Sequence, residues 1–380
     1  MRKTSTLMLA IVLLLVLFGI VMLASTSSVI GVAKFNDSQY FLKRQILWSL
    51  CAFIAGIIMF HFDYHWMQKL SIPLAIVSLV LLALVFAPGI GLKAGGSYRW
   101  LKLGLINLQP SEFAKISMII LLSSWMTKIG RRAKNFKEGL LFPCVILSII
   151  IGLLIIEPDF GTAVLIGIVG MAIMFTGGTR LSYLLITGML GSFGFILAVL
   201  NNPVRKGRIL AFIMPDKYPA VAWQLAQSKI AFMTGGGMGV GLGNSIQKQF
   251  YLPEAHTDFI LAIIGEELGF MATGMLIALF LGLLVCGIII SFRAVDQFGK
   301  LLGFGITMMI SGQAAINIGV VSGCLPTKGI ALPFISYGGS NLIMSIVIIC
   351  ILLNIARHYD TNSSDIHTQP IKDIAHRFNF

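Results

Sequence analysis

The chain has 380 residues, of which 57% are hydrophobic and 11% charged, with a formal net charge of +13. That balance excludes a soluble globular domain and defines a polytopic integral membrane protein. The positive charge would suggest nucleic acid in a soluble chain; here anionic lipid headgroups account for it, and no nucleic-acid partner is expected. The five cysteines are scattered without paired spacing, which excludes a disulfide framework or a cysteine-based zinc site.

Apolar runs at 8–25, 45–62, 71–87, 111–126, 140–156, 162–176, 181–200, 258–290, 299–321 and 337–355 predict an all-α bundle of about ten transmembrane helices. Residues 1–356 form a single transmembrane domain in this reading, and 357–380 a short, polar, disordered cytoplasmic tail. The first run is longer than a signal-peptide core and reads as an uncleaved anchor. Lys128, Arg131, Arg132, Lys134 and Lys137 lie between the fourth and fifth runs, so that loop and both termini are expected in the cytoplasm. The long loop 201–257, between spans seven and eight, then falls outside the cell although it is basic, and long loops obey the charge rule poorly.

The second run ends in His61-Phe62-Asp63-Tyr64-His65-Trp66. Its two histidines share a helix face, but no further ligand stands nearby in sequence, so the segment reads as an interfacial aromatic belt. The outer loop after the third run contains Ser97-Tyr98-Arg99-Trp100 and leads into Gln109-Pro110-Ser111-Glu112-Phe113-Ala114-Lys115. Pro110 suits a first helical turn, which places Glu112 and Lys115 on one face of span four. They are either a local ion pair that lowers burial cost or a site in which Lys115 meets an anionic substrate.

Glu157-Pro158-Asp159-Phe160-Gly161-Thr162 is an outer turn that adds two carboxylates to the same face, with Asp159 also suited to cap span six. In the long loop, 223–231 reads as an amphipathic interfacial helix. The glycine-rich stretch 234–245 lacks the strand and the Gly-Lys-Ser/Thr of a phosphate loop, and reads as a hinge, with a backbone nest for a lipid diphosphate as the sharper alternative.

Residues 251–269 concentrate Glu254, His256, Asp258, Glu266 and Glu267 at a membrane boundary, in a chain with only 15 acidic residues. Ionisable groups there point to function. Thr257 is the expected N-cap of span eight, so that Asp258 sits in the first turn, ionised and able to accept a proton. Glu266 lies eight residues on, about 12 Å deeper, and with Glu267 is expected to form a second layer paired to a basic or backbone partner. The segment 324–340, with Pro326, Lys328, Pro333 and Gly338-Gly339, reads as irregular backbone lining a polar cavity. These residues fit a transporter of an anionic solute as well as a membrane-embedded enzyme.

Four motifs together carry a resemblance over nearly the whole chain: Gln109-Pro110-Ser111-Glu112-Phe113-Ala114-Lys115; Glu157-Pro158-Asp159-Phe160-Gly161-Thr162; Pro253-Glu254-Ala255-His256-Thr257-Asp258-Phe259 with Gly265-Glu266-Glu267; and Pro326-Thr327-Lys328-Gly329 with Ser336-Tyr337-Gly338-Gly339-Ser340. They resemble the SEDS family of bacterial cell-wall proteins, and their wording is closer to the division branch than to the elongation branch. Leu261 departs from the family pattern, where Phe is expected.

The resemblance implies an inverting peptidoglycan glycosyltransferase of the bacterial cytoplasmic (inner) membrane. Such an enzyme polymerises lipid II at the outer face, with a class B penicillin-binding protein transpeptidase and other division proteins as partners. The family's essential aspartate falls on Asp258 and its charge pair on Glu112 and Lys115. Asp258 is then the general base, with polyprenyl diphosphate as leaving group. Arg205, Lys206, Arg208, Lys328 and Lys115 are the candidates to meet that diphosphate, and His256 and Ser336 are candidate supports. No cofactor is implied, although a divalent cation could share the diphosphate charge. The competing reading for the same family is a lipid II flippase, which needs a polar path through both leaflets.

Overall fold

The computed structural model describes residues 1–94, 97–103 and 106–368. The helices are α1 (Arg2–Phe35), α2 (Tyr40–His61), α3 (His65–Lys69), α4 (Ser71–Leu84), α5 (Pro110–Ile129), α6 (Phe142–Ile156), α7 (Phe160–Thr176), α8 (Leu181–Leu200), α9 (Pro203–Ile213), α10 (Pro219–Gly235), α11 (Ile260–Phe292), α12 (Gln297–Val321) and α13 (Gly339–Thr368). Among the described residues, 8 helices are long and apolar enough to cross a membrane, and the shorter apolar helices α4 and α7 occupy the third and sixth predicted runs. Every predicted run therefore carries an apolar helix.

Each spanning helix divides its side chains between bundle and lipid. In α1, Met8, Ile11, Val12, Leu15, Met22 and Leu23 are buried at helical spacing, while Leu7, Leu14, Leu17 and Val21 are exposed. Lipid is as apolar as leucine, so the helices are held by close packing rather than by water exclusion. Gly19 provides such a contact, because a Cβ there would stand 2.8 Å from the Ile335 Cα and the Phe334 carbonyl oxygen. The segment leading into α13 thus lies against the backbone of α1.

The helical fold expected from the sequence carries one local exception. The connection between α4 and α5 forms an antiparallel sheet of β1 (Gly91–Ala94), β2 (Ser97–Leu103) and β3 (Ile106–Leu108), in the order β1-β2-β3. The strands pair locally and satisfy the backbone groups of a segment whose sequence is interrupted by Gly91, Gly95, Gly96 and Gly104, which disfavour a helix. The tail departs as well: α13 continues past Arg357 to Thr368, so that part is helical rather than disordered, and the expectation for 369–380 lies outside the described residues.

The glycine-rich stretch is neither a loose hinge nor a nest for a ligand. Helix α11 is broken at Gly269, whose φ is 76° and ψ −172°. Residues 236–241 fill the break: Val240 and Gly241 N–H donate to the carbonyls of Glu266 and Glu267, and Phe270 and Met271 N–H donate to Gly236 and Gly237. Gly239, at φ 80°, has no room for a side chain, since a Cβ would come 2.2 Å from the Glu267 carbonyl oxygen. Non-helical backbone at this depth is tolerated because protein groups satisfy it.

Candidate active site

The site is built where three irregular segments meet the start of α11. Asp258 lies in the turn before the helix, which begins at Ile260. Thr257 does not cap: its hydroxyl turns back to the Glu254 carboxylate at 2.7 Å, and Phe259 N–H donates to the Glu254 carbonyl at 3.1 Å. The expected stabilisation of Asp258 by a first helical turn is therefore replaced by a tight turn that leaves its carboxyl half-buried outside the helix.

That placement reverses the expected electrostatics. Burial pushes the Asp258 carboxyl up to about 7. The charge of Glu254 adds to the rise, Arg99 opposes it, and Asp159 and Arg208 make smaller contributions of opposite sign. Asp258 is thus balanced between two carboxylates and two guanidiniums, and titrates near neutrality.

The backbone around Asp258 is fixed by polar side chains from other elements. Asn317, on α12, donates from its amide nitrogen to the carbonyls of Asp258 at 2.8 Å and Ile330 at 2.7 Å. Ser336 Oγ donates to the Thr257 carbonyl at 2.6 Å and accepts from Leu332 N–H at 2.8 Å. Ser336 is therefore a support for the turn. Gly329 lies against the acid itself, since a Cβ there would be 2.7 Å from Asp258 Oδ2. That contact brings the backbone next to Lys328 up to the carboxylate.

The predicted basic residues divide. Arg208 is near enough to Asp258 to act on its charge, and burial lowers the Lys328 pKa while the charge of Asp159 opposes that fall. Lys328 also lies over the Phe195 ring at 5.2 Å. Arg205 is occupied elsewhere: its guanidinium stacks 3.4 Å from the Phe160 ring centroid and donates to the Ala198 carbonyl. Lys206 is exposed on α9, and among the described residues no contact brings it to Asp258.

Lys115 is corrected from a candidate diphosphate contact to a core residue. Its ammonium donates to Glu112 Oε1 at 2.8 Å and Gln313 Oε1 at 2.7 Å, with both partners of the ion pair buried. Gln313 passes the contact on, donating to the Ala331 carbonyl at 2.9 Å and Asn341 Oδ1 at 3.1 Å. The pair thus braces the 326–338 segment from beneath. His256 does not reach Asp258 by a hydrogen bond either. Its ring packs 4.9 Å from Phe41 and 6.0 Å from Tyr337, and burial lowers its pKa, which keeps it neutral.

Glu266 and Glu267 form the expected separate layer. Glu266 accepts from Ser245 Oγ and from the N–H groups of Ile246 and Gln247, while Glu267 accepts from Ser25 Oγ and pairs with Lys248 at 2.7 Å. Asp159 caps α7, accepting from Thr162 N–H at 3.3 Å.

Arg99 is the functional residue the sequence reading missed. From β2 it donates to the carbonyls of Glu157 at 3.2 Å and Pro158 at 2.6 Å, which fixes its guanidinium beside the acids. Burial pushes the Glu157 carboxyl up to about 8, with Asp159 adding to the rise and Arg99 opposing it. The only sequence signal was a lone arginine among aromatic residues in an outer loop. Because Arg99 holds the Asp258 carboxyl down, Arg99→Ala is expected to raise its pKa. The acid limb of a pH–rate profile, where the base becomes protonated, then moves above 7, and the variant loses more rate at pH 6.5 than at pH 8.5.

The fold and site define a multi-span helical membrane protein with a near-neutral carboxyl, flanked by fixed cations, at one end of its bundle. The chain belongs to the cell cycle protein family of FtsW, RodA and SpoVE, which it matches over residues 5–361. It is 43% identical over 350 residues to a probable peptidoglycan glycosyltransferase FtsW of Trichlorobacter lovleyi, covering 92% of each chain. It is 38% identical to the stage V sporulation protein E of Bacillus subtilis, covering 94% of this chain and 98% of that one. Among solved structures, a chain from a peptidoglycan synthase complex that coordinates polymerization and crosslinking superposes with a TM-score of 0.77 at 24% identity, covering 93% of this chain and 97% of that one. The rod shape determining protein RodA of Thermus thermophilus superposes with a TM-score of 0.69 at 22% identity, covering 93% and 96%. Both support the fold.

Proposed function

We infer that the protein is a peptidoglycan glycosyltransferase that joins lipid II units into glycan strands for cell division. The observation that carries this reading is Asp258, a carboxyl titrating near 7 beside Arg99 and Arg208 and in contact with the backbone that bears Lys328. A general base works best with its pKa near the operating pH. Asp258 takes the proton from the 4-hydroxyl of the acceptor sugar as that oxygen attacks C1 of the donor. The C1–O bond to phosphate breaks on the opposite face, the configuration inverts, and the polyprenyl diphosphate leaves with the electron pair. Arg208 and Lys328 meet the departing charge, while the lipid tail remains in the bilayer. Among the described residues no three His, Cys, Asp or Glu ligands converge around Asp258. A divalent cation at this site would therefore be held largely by the diphosphate.

The basic residues 128–137 lie at the end of the bundle where α1 begins and α13 ends, opposite Asp258. The charge rule then puts both termini in the cytoplasm and Asp258 outside. A class B penicillin-binding protein is the partner this assignment calls for, because new strands need crosslinking; the similar solved chain from a peptidoglycan synthase complex supports the pairing.

The test is the purified full chain incubated with lipid II, with and without that transpeptidase. The expected result is glycan strands and released polyprenyl diphosphate. Movement of lipid II across liposomes without any polymer would replace this reading with a flippase.

A further inference from the structure

At the end of the bundle opposite Asp258, the turn between α2 and α3, the start of α12 and the end of α13 bring together groups that sequence separates by almost the whole chain. Asp63 Oδ1 stands 2.6 Å from His65 Nδ1 and 3.6 Å from His358 Nε2. The three side chains are half-buried, and their donor atoms lie within 4.8 Å of one another. His61, the histidine that shares a helix turn with this segment, does not join them and contacts Arg357 instead.

The ring nitrogens facing away from the cluster decide its chemistry. His358 Nδ1 lies 3.0 Å from the Asn354 carbonyl, which can only accept, so Nδ1 carries the proton and the Nε2 lone pair points inward at Asp63. His65 Nδ1 shares a proton with Asp63 Oδ1 at 2.6 Å, which an arriving ion displaces, and Nε2, 3.7 Å from the Asp296 carboxylate, is then the nitrogen that carries the proton outward. Imidazoles that ligate metals are held in this way, by a carbonyl or carboxylate on the far nitrogen. The surround is also fixed: Tyr64 stacks on His65 at 4.1 Å and donates its hydroxyl to Asp296, and Asn354 binds Tyr64 N–H and the Phe60 carbonyl.

We propose that Asp63, His65 and His358 bind one divalent transition-metal ion of the zinc class. Two imidazoles and one carboxylate suit zinc rather than calcium or magnesium, which favour all-oxygen sets. Two neutral histidines with the carboxylates of Asp63 and Asp296 balance a charge of +2. At Zn–N and Zn–O lengths near 2.0 Å, tetrahedral ligands stand about 3.3 Å apart. The Asp63 to His358 spacing is close to that, and the Asp63 to His65 contact opens by a side-chain rotation. The ion joins the α2–α3 turn to the end of α13 and leaves a fourth position for water.

The experiment uses the full chain purified in detergent without a histidine tag, stripped with chelator and titrated with Zn²⁺. Bound metal is read by elemental analysis, and ligand geometry by the visible spectrum of the Co²⁺ form. One tightly held equivalent is expected. His65→Ala, His358→Ala and the near-isosteric Asp63→Asn should each lose it, and His61→Ala should keep it. Asp296→Asn retains an amide oxygen able to cap α12, as Asp296 does through Gly299 N–H, and should bind about 10–100-fold more weakly. The proposal is overturned if the wild type holds no stoichiometric Zn²⁺, or if the equivalent survives in the His65→Ala/His358→Ala double variant, which would mark it as adventitious. Neither readout depends on the glycosyltransferase assay.

Discussion

Asp258→Asn is expected to cut strand synthesis by about 10²- to 10⁴-fold, the range lost with a general base, while the bundle stays folded. The substitution keeps the size of the side chain, so the close approach of Gly329 is undisturbed, and it leaves the Asp258 carbonyl that Asn317 holds. What disappears is proton acceptance. In the wild type the base must be ionised, so the rate should rise with pH to a half-maximum near 7, the value to which burial lifts this carboxyl. Stability moves the opposite way. A carboxyl raised in the folded state binds protons that the unfolded chain releases near 4, so its contribution is complete below that pH and is lost as pH rises through 7. Removing the charge should therefore raise the unfolding temperature of Asp258→Asn relative to wild type at pH 8 and leave little difference at pH 4. A variant that is inactive and less stable at pH 8 would show damage to the fold instead of loss of a base.

Which parts of this site could be read from sequence follows from how far apart the contacting residues lie. The ten apolar helices were legible because a spanning helix announces itself within about 20 residues. Asp258, Glu112 and Lys115 were legible as charges placed where charges are costly. The partners were not. Lys115 meets Gln313 across 198 positions, and Glu267 meets Lys248 through a loop whose glycines suggested a hinge or a nest for a diphosphate. The break at Gly269 makes sense of those glycines, but a positive φ inside an apolar run leaves no mark in composition. Arg99 was hidden for a related reason: its role depends on the carbonyls of Glu157 and Pro158, which every sequence has. The metal-binding proposal has the same origin, since His65 gains its partner from the far end of α13.

Lys115→Met is expected to cost about 3–5 kcal/mol of stability, because it leaves the Glu112 carboxylate buried and unpaired. The measurement is thermal or denaturant unfolding in detergent, and the control is a double-mutant cycle with Glu112→Gln. The double variant removes both charges and should recover much of the loss, which an ordinary packing defect at position 115 would not allow. Activity separates support from substrate contact. Lys115 holds Gln313 Oε1, and Gln313 holds the Ala331 carbonyl in the segment that presses Gly329 onto Asp258. If the pair acts through that segment, the double variant should regain part of its turnover along with its stability, with the pH midpoint still near 7. If Lys115 instead met the diphosphate directly, turnover would stay low in the double variant however well it folds. The buried geometry favours the first outcome: the Lys115 ammonium is taken by Glu112 and Gln313, which supports the proposal that Arg208 and Lys328 are the cations that meet the leaving group.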